Sequence, residues 1–147
     1  MFTLPCNINY MGKRVQVYIF SHPNPCSMRP KIDSTSFGSI TVEGIKFEYD
    51  ILIRRDGNVE KREKMLSKEL YGTSHILSLE EARHIYESGI EKLIIGTGQT
   101  GFVELSNEAE AFFRENKCEV ELLPTPEAIE SWNRAEGKFV SMFHITC

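Results

Sequence analysis

Short apolar runs alternate with helix start signals in the second half of this chain, and this order constrains the fold more than any other feature. Near-continuous apolar runs are typical of strands that are covered on both faces of a sheet. The runs are KLIIG, CEVELL and KFVSMFHITC. Helices are expected between them, because Ser106 is a good N-cap and Thr125-Pro126 pairs an N-cap with a first-turn proline. Strand, helix, strand, helix, strand predicts parallel pairing through right-handed crossovers.

The first half of the chain has the pattern of antiparallel strands. The segment SITVEGIKFEYDILI alternates apolar and polar residues, and Gly44 divides it into two strands. Asp56-Gly57 then predicts a hairpin, since glycine tolerates the positive φ of a tight turn. Ser78 and Glu81 have the capping-box spacing and predict a helix that Gly89 ends. Together these patterns predict a single three-layer α/β domain with a central mixed β-sheet, N-terminal antiparallel strands and about three helices.

Residues 1–27 differ from the rest of the chain. KRVQVYIF alternates like a half-buried strand, and the following SHPNPCSMRP holds three prolines in ten residues, which is typical of a linker. Met28 is a plausible natural start, so residues 1–27 are interpreted either as a leader or non-native extension, or as an extra edge strand. Residues 28–147 form the predicted domain.

Composition excludes several classes of protein. A net charge of −4 argues against a protein that binds the phosphate backbone of nucleic acid. No apolar run approaches the roughly 18 residues that a membrane span needs. The four cysteines include no C-x-x-C and no close pairs, which favours neither a zinc site nor a disulfide framework. We therefore expect a soluble cytoplasmic protein with no metal or cofactor.

A glycine-rich segment follows the KLII run and has the spacing of nucleotide-binding loops. Gly96, Gly98 and Gly101 match G-x-G-x-x-G. A P-loop is excluded, because Phe102 and Val103 stand where that motif needs lysine and a hydroxyl residue. A dinucleotide site is disfavoured, since the next helix cap comes only at Ser106, too late for the helix to face a pyrophosphate.

Two interpretations of this loop remain. It lies at the carboxyl end of a buried strand, where α/β sheets place their ligand crevices, and its amides and hydroxyls can hold a small anion. Alternatively, it is a turn whose threonines bond their own backbone. The candidate ligand-binding residues are Gly96, Thr97, Gly98, Gln99, Thr100, Gly101 and His75. His75 joins them because it lies in a hydroxyl-rich loop, where a histidine can do acid–base work.

Other polar residues receive structural interpretations. His144 and Cys147 are three apart on a predicted strand and so point to opposite faces, which disfavours a shared metal or a catalytic pair. We expect both to be satisfied within the fold. The basic residues around the hairpin are interleaved with acids, which predicts a solvated strand face; they are Arg54, Arg55, Lys61, Arg62 and Lys64. No catalytic residue is predicted.

The order of motifs resembles one known family. From about Ile32 to Cys147 the chain is similar to the small α/β domain shared by the adipogenesis-associated Mth-type domain protein, the mitochondrial complex I assembly factor of the same fold, and many uncharacterised prokaryotic proteins. The motifs are FGSITVEG, YDILIRRDG, HILSLEE, LIIGTGQTG, TPEAIESWN and FHITC. The resemblance implies a three-layer α/β domain with a central mixed sheet, no established enzyme activity, and action through protein partners.

Carried onto this chain, the family motifs mark residues without an established catalytic role. They are Gly96, Gly98, Gly101, His75, Thr125, Asn133, His144 and Cys147. The expected function is a non-catalytic protein-binding or assembly module that binds an unidentified protein or a second copy of itself. The alternative is a small-ligand or anion binder, or an enzyme, that uses the loop 96–101.

Overall fold

The computed structural model describes the strands Thr3–Tyr10 and Lys13–Phe20 and residues 29–147. Residues 21–28, which hold most of the predicted proline-rich linker, lie outside the described residues. Residues 1–27 therefore keep their interpretation as a leader or extension as a prediction, although two strands lie within them.

The described residues form twelve strands and four helices. The strands are β1 Thr3–Tyr10, β2 Lys13–Phe20, β3 Ile32–Ser36, β4 Ser39–Val42, β5 Ile45–Phe47, β6 Ile51–Ile53, β7 Val59–Lys61, β8 Ile76–Leu77, β9 Lys92–Thr97, β10 Glu104–Leu105, β11 Glu119–Leu123 and β12 Phe139–His144. The helices are α1 Met65–Tyr71, α2 Leu79–Ile85, α3 Asn107–Glu115 and α4 Thr125–Arg134.

The main sheet is mixed, as the sequence predicts. Its strand order is β1-β2-β7-β6-β12-β9-β11, and β9 pairs in parallel with both β11 and β12. Strand β6 pairs antiparallel with β12 and with β7, which closes the predicted hairpin around Asp56-Gly57. Strands β3, β4 and β5 form a separate antiparallel sheet, and β8 pairs with β10. The parallel pairs carry the helical crossovers that the alternating pattern predicts.

Alternation along the central strands produces the three layers. Leu93 and Ile95 of β9 pack on one side of the sheet against α2 and α3, whereas Ile94 packs on the other side with α4 and the small sheet β3-β4-β5. Successive residues of a strand point to opposite faces, so a continuous apolar run supplies both cores at once. The prediction of a three-layer α/β domain is confirmed.

Several elements differ in detail from the prediction. Helix α1 is not predicted by the sequence pattern, because its N-cap Lys64 makes no capping bond and its first turn has no acidic residue. Helix α2 ends at Ile85, well before Gly89. Helix α4 begins at Thr125 with Pro124 in the cap position, because the Thr125 hydroxyl is used in the sheet below. Strand β11 is an edge strand and is not covered on both faces.

Candidate functional site

The two central parallel strands end together at the carboxyl end of the sheet. Strand β9 ends at Thr97 beside His144, the last residue of β12, and the chain continues as the glycine loop 98–101 and the C-terminal segment 145–147. This is the end of an α/β sheet where ligand crevices form. The site is therefore built from two segments that leave neighbouring strands.

The glycine loop and the C-terminal segment are joined by backbone hydrogen bonds. The amide of Gln99 donates to the Thr146 carbonyl at 2.7 Å, and the amide of Phe102 donates to the Cys147 carbonyl at 3.2 Å. Within the loop, the Val103 amide donates to the Thr97 carbonyl at 3.0 Å. These three donors already have acceptors inside the chain, so they do not form an anion cradle of the kind found in nucleotide-binding loops.

The glycines of the loop permit this close approach of the C-terminal segment. Gly98 has φ of +110°, and a Cβ at this position would lie 2.2 Å from the Cys147 carbonyl carbon. At Gly96, a Cβ would lie 2.8 Å from a ring carbon of Phe143 and 2.9 Å from the Thr125 hydroxyl. Both contacts are shorter than packed atoms allow. The G-x-G spacing at this site is therefore explained by contacts within the chain.

The polar side chains predicted to bind a ligand also make internal contacts. Thr97 is buried, and the Thr100 hydroxyl donates to the Cys147 carbonyl at 3.1 Å. The Gln99 amide group donates to the Thr35 hydroxyl at 3.0 Å and to the Ser36 carbonyl at 3.3 Å. These contacts tie the loop to the turn between β3 and β4. Ligand binding by the loop stays a prediction.

His75 lies at the same end of the sheet, as the candidate site requires. Its ring stacks on Phe102 with centroids 6.3 Å apart, and it meets the His144 ring edge-on at 5.2 Å. The structure thus brings His75, the glycine loop and His144 together, although they are far apart in the sequence. Sequence patterns link His75 to the loop, but they do not link it to His144.

Beneath this surface lies a buried cluster of charged side chains around Arg62. Its Nη1 donates to Asp50 Oδ2 at 2.9 Å, and its Nε and Nη2 donate to the two carboxylate oxygens of Glu81 at 2.6 and 3.0 Å. All three side chains are at least nine-tenths buried. Removing one member of such a buried group leaves an uncompensated charge, so each member is needed for the stability of the fold.

His144 extends the cluster towards the surface. Its Nδ1 lies 2.8 Å from Asp50 Oδ2, and its Nε2 lies 3.0 Å from the Thr146 hydroxyl. The other Asp50 oxygen accepts the Ile145 amide at 3.0 Å. Burial raises the pKa of Asp50, but the hydrogen bond and charge of His144, the charge of Arg62 and the Ile145 amide outweigh it, so the pKa is lowered overall. The expectation that His144 is satisfied within the fold agrees with these contacts.

Glu81 has a different role from the one that its spacing predicts. The Ser78 hydroxyl accepts the Glu81 amide at 3.1 Å, which is half of a capping box. The Glu81 carboxylate does not complete the box. It binds Arg62 and accepts a hydrogen bond from the hydroxyl of Ser67 on α1. The Ser78 amide, which a complete box would pair with Glu81, donates instead to the Ser67 hydroxyl at 2.9 Å.

Arg62 corrects the prediction of a solvated basic face at the hairpin. Its side chain is buried because Asp50 and Glu81 supply carboxylates in the interior, whereas Lys61 and Lys64 are exposed as expected. One signal was present in the sequence: Asp50 directly precedes the fully apolar run ILI, where a charge requires an internal partner. The identity of that partner cannot be read from spacing.

Comparison with known proteins identifies the family. Residues 32–143 match a family described as a protein of unknown function (DUF498/DUF598). The chain belongs to this family. The match confirms the resemblance seen in the motifs, and nearly the whole of the domain that holds the charged cluster falls within it. No curated protein matches the chain.

Solved structures share the fold of this DUF498/DUF598 chain. The conserved hypothetical protein PH1505 from Pyrococcus horikoshii OT3 is 30% identical with a TM-score of 0.72, and the match covers 80% of this chain and 99% of that one. MT938 is 33% identical with a TM-score of 0.67 and the same coverage. A Mth938-like domain from Bordetella pertussis is 18% identical with a TM-score of 0.55, covering 86% of this chain and 92% of its own.

The described part of this DUF498/DUF598 chain has neither a membrane-spanning helix nor a metal-binding group. None of its helices combines the length and the apolar character that a bilayer crossing needs. Its histidines, cysteines and carboxylates form no group of three or more with the geometry of a metal site.

Proposed function

We propose that this DUF498/DUF598 domain is a non-catalytic protein-binding or assembly module that uses the carboxyl end of its sheet. One observation carries the proposal. Phe37 and Phe102 are 69% and 62% exposed, although backbone hydrogen bonds join Phe102 and the residue after Phe37 to the C-terminal segment. Exposed aromatic side chains in a fixed position are typical of protein interaction sites.

Backbone hydrogen bonds hold the chain at or next to both phenylalanines. Phe37 lies in the turn between β3 and β4, where the next residue, Gly38, donates its amide to the Ile145 carbonyl at 2.8 Å. Phe102 is fixed by its own amide bond to Cys147 and by its ring contact with His75. Because the backbone is held at both positions, less of it has to be ordered on binding, which lowers the entropic cost of association.

The partner that fits this end is a protein with an apolar cleft that accepts aromatic rings. Amides and side chains of the glycine loop bond within the chain, so the neighbouring surface offers rings more than free polar groups. The resemblance to proteins that act through protein partners supports the same class of function. A second copy of the chain is the other candidate partner.

The test compares binding partners of the natural chain and a double variant, Phe37→Ser with Phe102→Ser. The control is Leu122→Ser, because Leu122 is also exposed, at 42%, but lies on edge strand β11. Partners recovered quantitatively from cell extract should be lost by the double variant and kept by the control. Each partner is then purified and its affinity for the three chains is measured, with sedimentation to detect self-association.

Two results would overturn the proposal. One is a purified partner that binds all three chains with equal affinity. The other is the absence of any partner that discriminates the double variant, combined with a strictly monomeric natural chain.

A second candidate function is a small-ligand or anion binder, or an enzyme, at the loop 96–101. It is favoured by the hydrogen-bonded series Asp50, His144 and Thr146, in which the His144 ring also contacts the ring of His75. Carboxylate, imidazole and hydroxyl groups in series are suited to proton transfer. A metabolite screen tests it, since a ligand at about 100 times its dissociation constant adds roughly 2.7 kcal/mol to stability. A screen without any thermal shift at millimolar ligand would contradict it.

We also propose that the protein is soluble and cytoplasmic. The support is the cysteine pattern, which includes no close pairs suited to a disulfide framework. Cell fractionation should recover the natural full-length protein in the cytosolic fraction, and recovery in a membrane or exported fraction would contradict this placement.

A further inference from the structure

A second concave surface lies at the opposite end of the main sheet, where β12 begins. It is a cleft of about 760 Å³ between three segments: the chain at residues 29–31, the β6–β7 hairpin, and the connection from α4 to β12. Sites for small molecules have volumes of roughly 300–1,000 Å³. The cleft includes residues of two sequence motifs, YDILIRRDG and TPEAIESWN, although neither motif indicates a ligand. Neither the charged cluster nor the glycine loop contributes to it.

The lining of this cleft is strongly cationic. Five basic residues face a single carboxylate, that of Glu136; the basic residues are Arg29, Lys31, Arg54, Arg55 and Lys138. The chain as a whole carries a net charge of −4, so this concentration of positive charge runs against its composition. A concave surface lined by one sign of charge focuses the field and attracts ligands of the opposite sign.

Most of these charges are not neutralised by an ion pair. Arg54 is paired with Glu60 at 2.7 Å, and it is the one lining residue that takes part in an ion pair among the described residues. The Arg55 guanidinium donates to the Ser88 carbonyl at 3.0 Å, while the nearby Glu87 carboxylate accepts the Arg55 backbone amide. Lys31 and Lys138 are exposed and belong to two different segments of the lining. A carbonyl partner fixes a cation without cancelling its charge.

Arg29 gives the cleft a fixed cationic floor. Its guanidinium lies 5.0 Å from the ring centres of both Trp132 and Phe139 and donates to the carbonyls of Ala135 and Gly137. Burial lowers the pKa of Arg29, an effect that Glu136 opposes. The aromatic rings are thus covered by a cation, which makes the floor unsuitable for an apolar ligand. Guanidinium groups suit the oxygens of carboxylates and phosphates.

We propose that this cleft binds a small molecule through a di- or triphosphate group. Cations on three separate segments surround the space, so a group with several negative charges satisfies them better than a single carboxylate does. The phosphate chain would lie between Lys31, Lys138 and Arg55, above the Arg29 guanidinium. Inorganic polyphosphate and a nucleoside triphosphate share this chemistry.

The test is calorimetric titration of the full chain with inorganic tripolyphosphate and, separately, with ATP without divalent cation. Saturable binding of one equivalent is expected, weaker at about 200 mM than at about 50 mM salt. The variant Lys31→Glu with Lys138→Glu should weaken binding by at least about tenfold. The neutral variant Lys31→Gln with Lys138→Gln should also weaken it, and serves if the reversed charges prevent folding.

The matched control is Lys46→Glu with Lys68→Glu, which changes the net charge equally at exposed positions on β5 and α1. It should change the affinity by less than about twofold, since neither lysine lines the cleft and salt screens exposed charges. Tighter binding of ATP than of tripolyphosphate would assign the ligand to the nucleotides, and equal binding would assign it to the phosphate chain alone. Absence of binding at millimolar ligand, or equal loss in the control, overturns the proposal.

Discussion

The two ends of the main sheet differ in how far their polar groups are bonded within the chain. At the carboxyl end, backbone amides of the glycine loop donate to the C-terminal segment. The Arg62 guanidinium is hydrogen-bonded to the carboxylates of Asp50 and Glu81. At the amino end of β12, Lys31, Arg55 and Lys138 surround an open cleft, and none of them forms an ion pair within the described residues. The end with the glycine motif has polar groups that are bonded within the chain, whereas the cleft end has cations without ion-pair partners among the described residues.

A sequence motif and a charged surface give different kinds of information about ligand binding. A glycine spacing indicates only that the backbone comes close to another group. Here that group is the C-terminal segment of the same chain. Cations without ion-pair partners around a cavity indicate that a compensating negative charge is missing.

Replacing Arg62 should have the largest effect on stability. Arg62→Ala leaves the carboxylates of Asp50 and Glu81 buried without a counter-charge, so we expect a loss of about 3–5 kcal/mol in the free energy of unfolding. The control is Arg55→Ala at the cleft, which should change this energy by less than about 0.5 kcal/mol. Urea denaturation measures both. Equal losses in the two variants would mean that the two ends do not differ.

Adding a side chain at Gly98 should cost less, but still clearly more than at another glycine. Gly98→Ala combines a positive φ with a clash against Cys147, for an expected loss of about 2–4 kcal/mol. Gly44→Ala is the control, because Gly44 also has a positive φ, of +79°, but a Cβ there would meet nothing within 4 Å. The control should lose about 1 kcal/mol. If thermal unfolding gave equal losses, the close approach of the C-terminal segment would not be tight.

Acid should weaken the carboxyl end through Asp50. Its pKa is lowered in the folded state, so its contribution to stability is present above the unfolded-state value, near ~3.9, and is lost as pH falls through the lower folded value. Asp50→Asn should therefore flatten the stability profile in that window, by up to about 1.4 kcal/mol per pH unit. Unfolding is followed at several pH values. An unchanged slope in the variant would show that Asp50 is not the group that titrates.

Neutralising the cleft should have the smallest effect on the fold. Lys31→Ala with Lys138→Ala removes exposed charges that form no ion pair within the described residues, and the free energy of unfolding should change by less than about 0.5 kcal/mol. Release of repulsion between the cations would act in the stabilising direction. A loss above about 1 kcal/mol in urea denaturation would place these lysines in the structural framework.

Much of the fold was predictable from local patterns. The apolar runs of β9 and β12, the Asp56-Gly57 hairpin and the Ser106 cap each depend on neighbouring residues alone, and each is present. Helix α1 could not be predicted because it has no side-chain cap, and its position depends instead on tertiary contacts such as the Ser67 hydroxyl with Glu81.

The site was less predictable because its partners are distant in the chain. Asp50 and His144 are 94 residues apart and Arg62 and Glu81 are 19 apart, so no spacing rule connects them. The cleft is assembled from three separate connections, and its residues have no shared motif. His75 lies near the glycine loop, and its contact with His144 depends on the order of strands in the sheet.

The most direct test of the contrast between the two ends is an NMR titration of the isotope-labelled full chain with tripolyphosphate. We expect saturable chemical-shift changes at the backbone amides of Lys31, Arg55 and Lys138. We also expect that the amides of Gln99 and Phe102, which donate to carbonyls of the C-terminal segment, do not shift. Shifts centred on the glycine loop, with none around the cleft, would contradict the contrast.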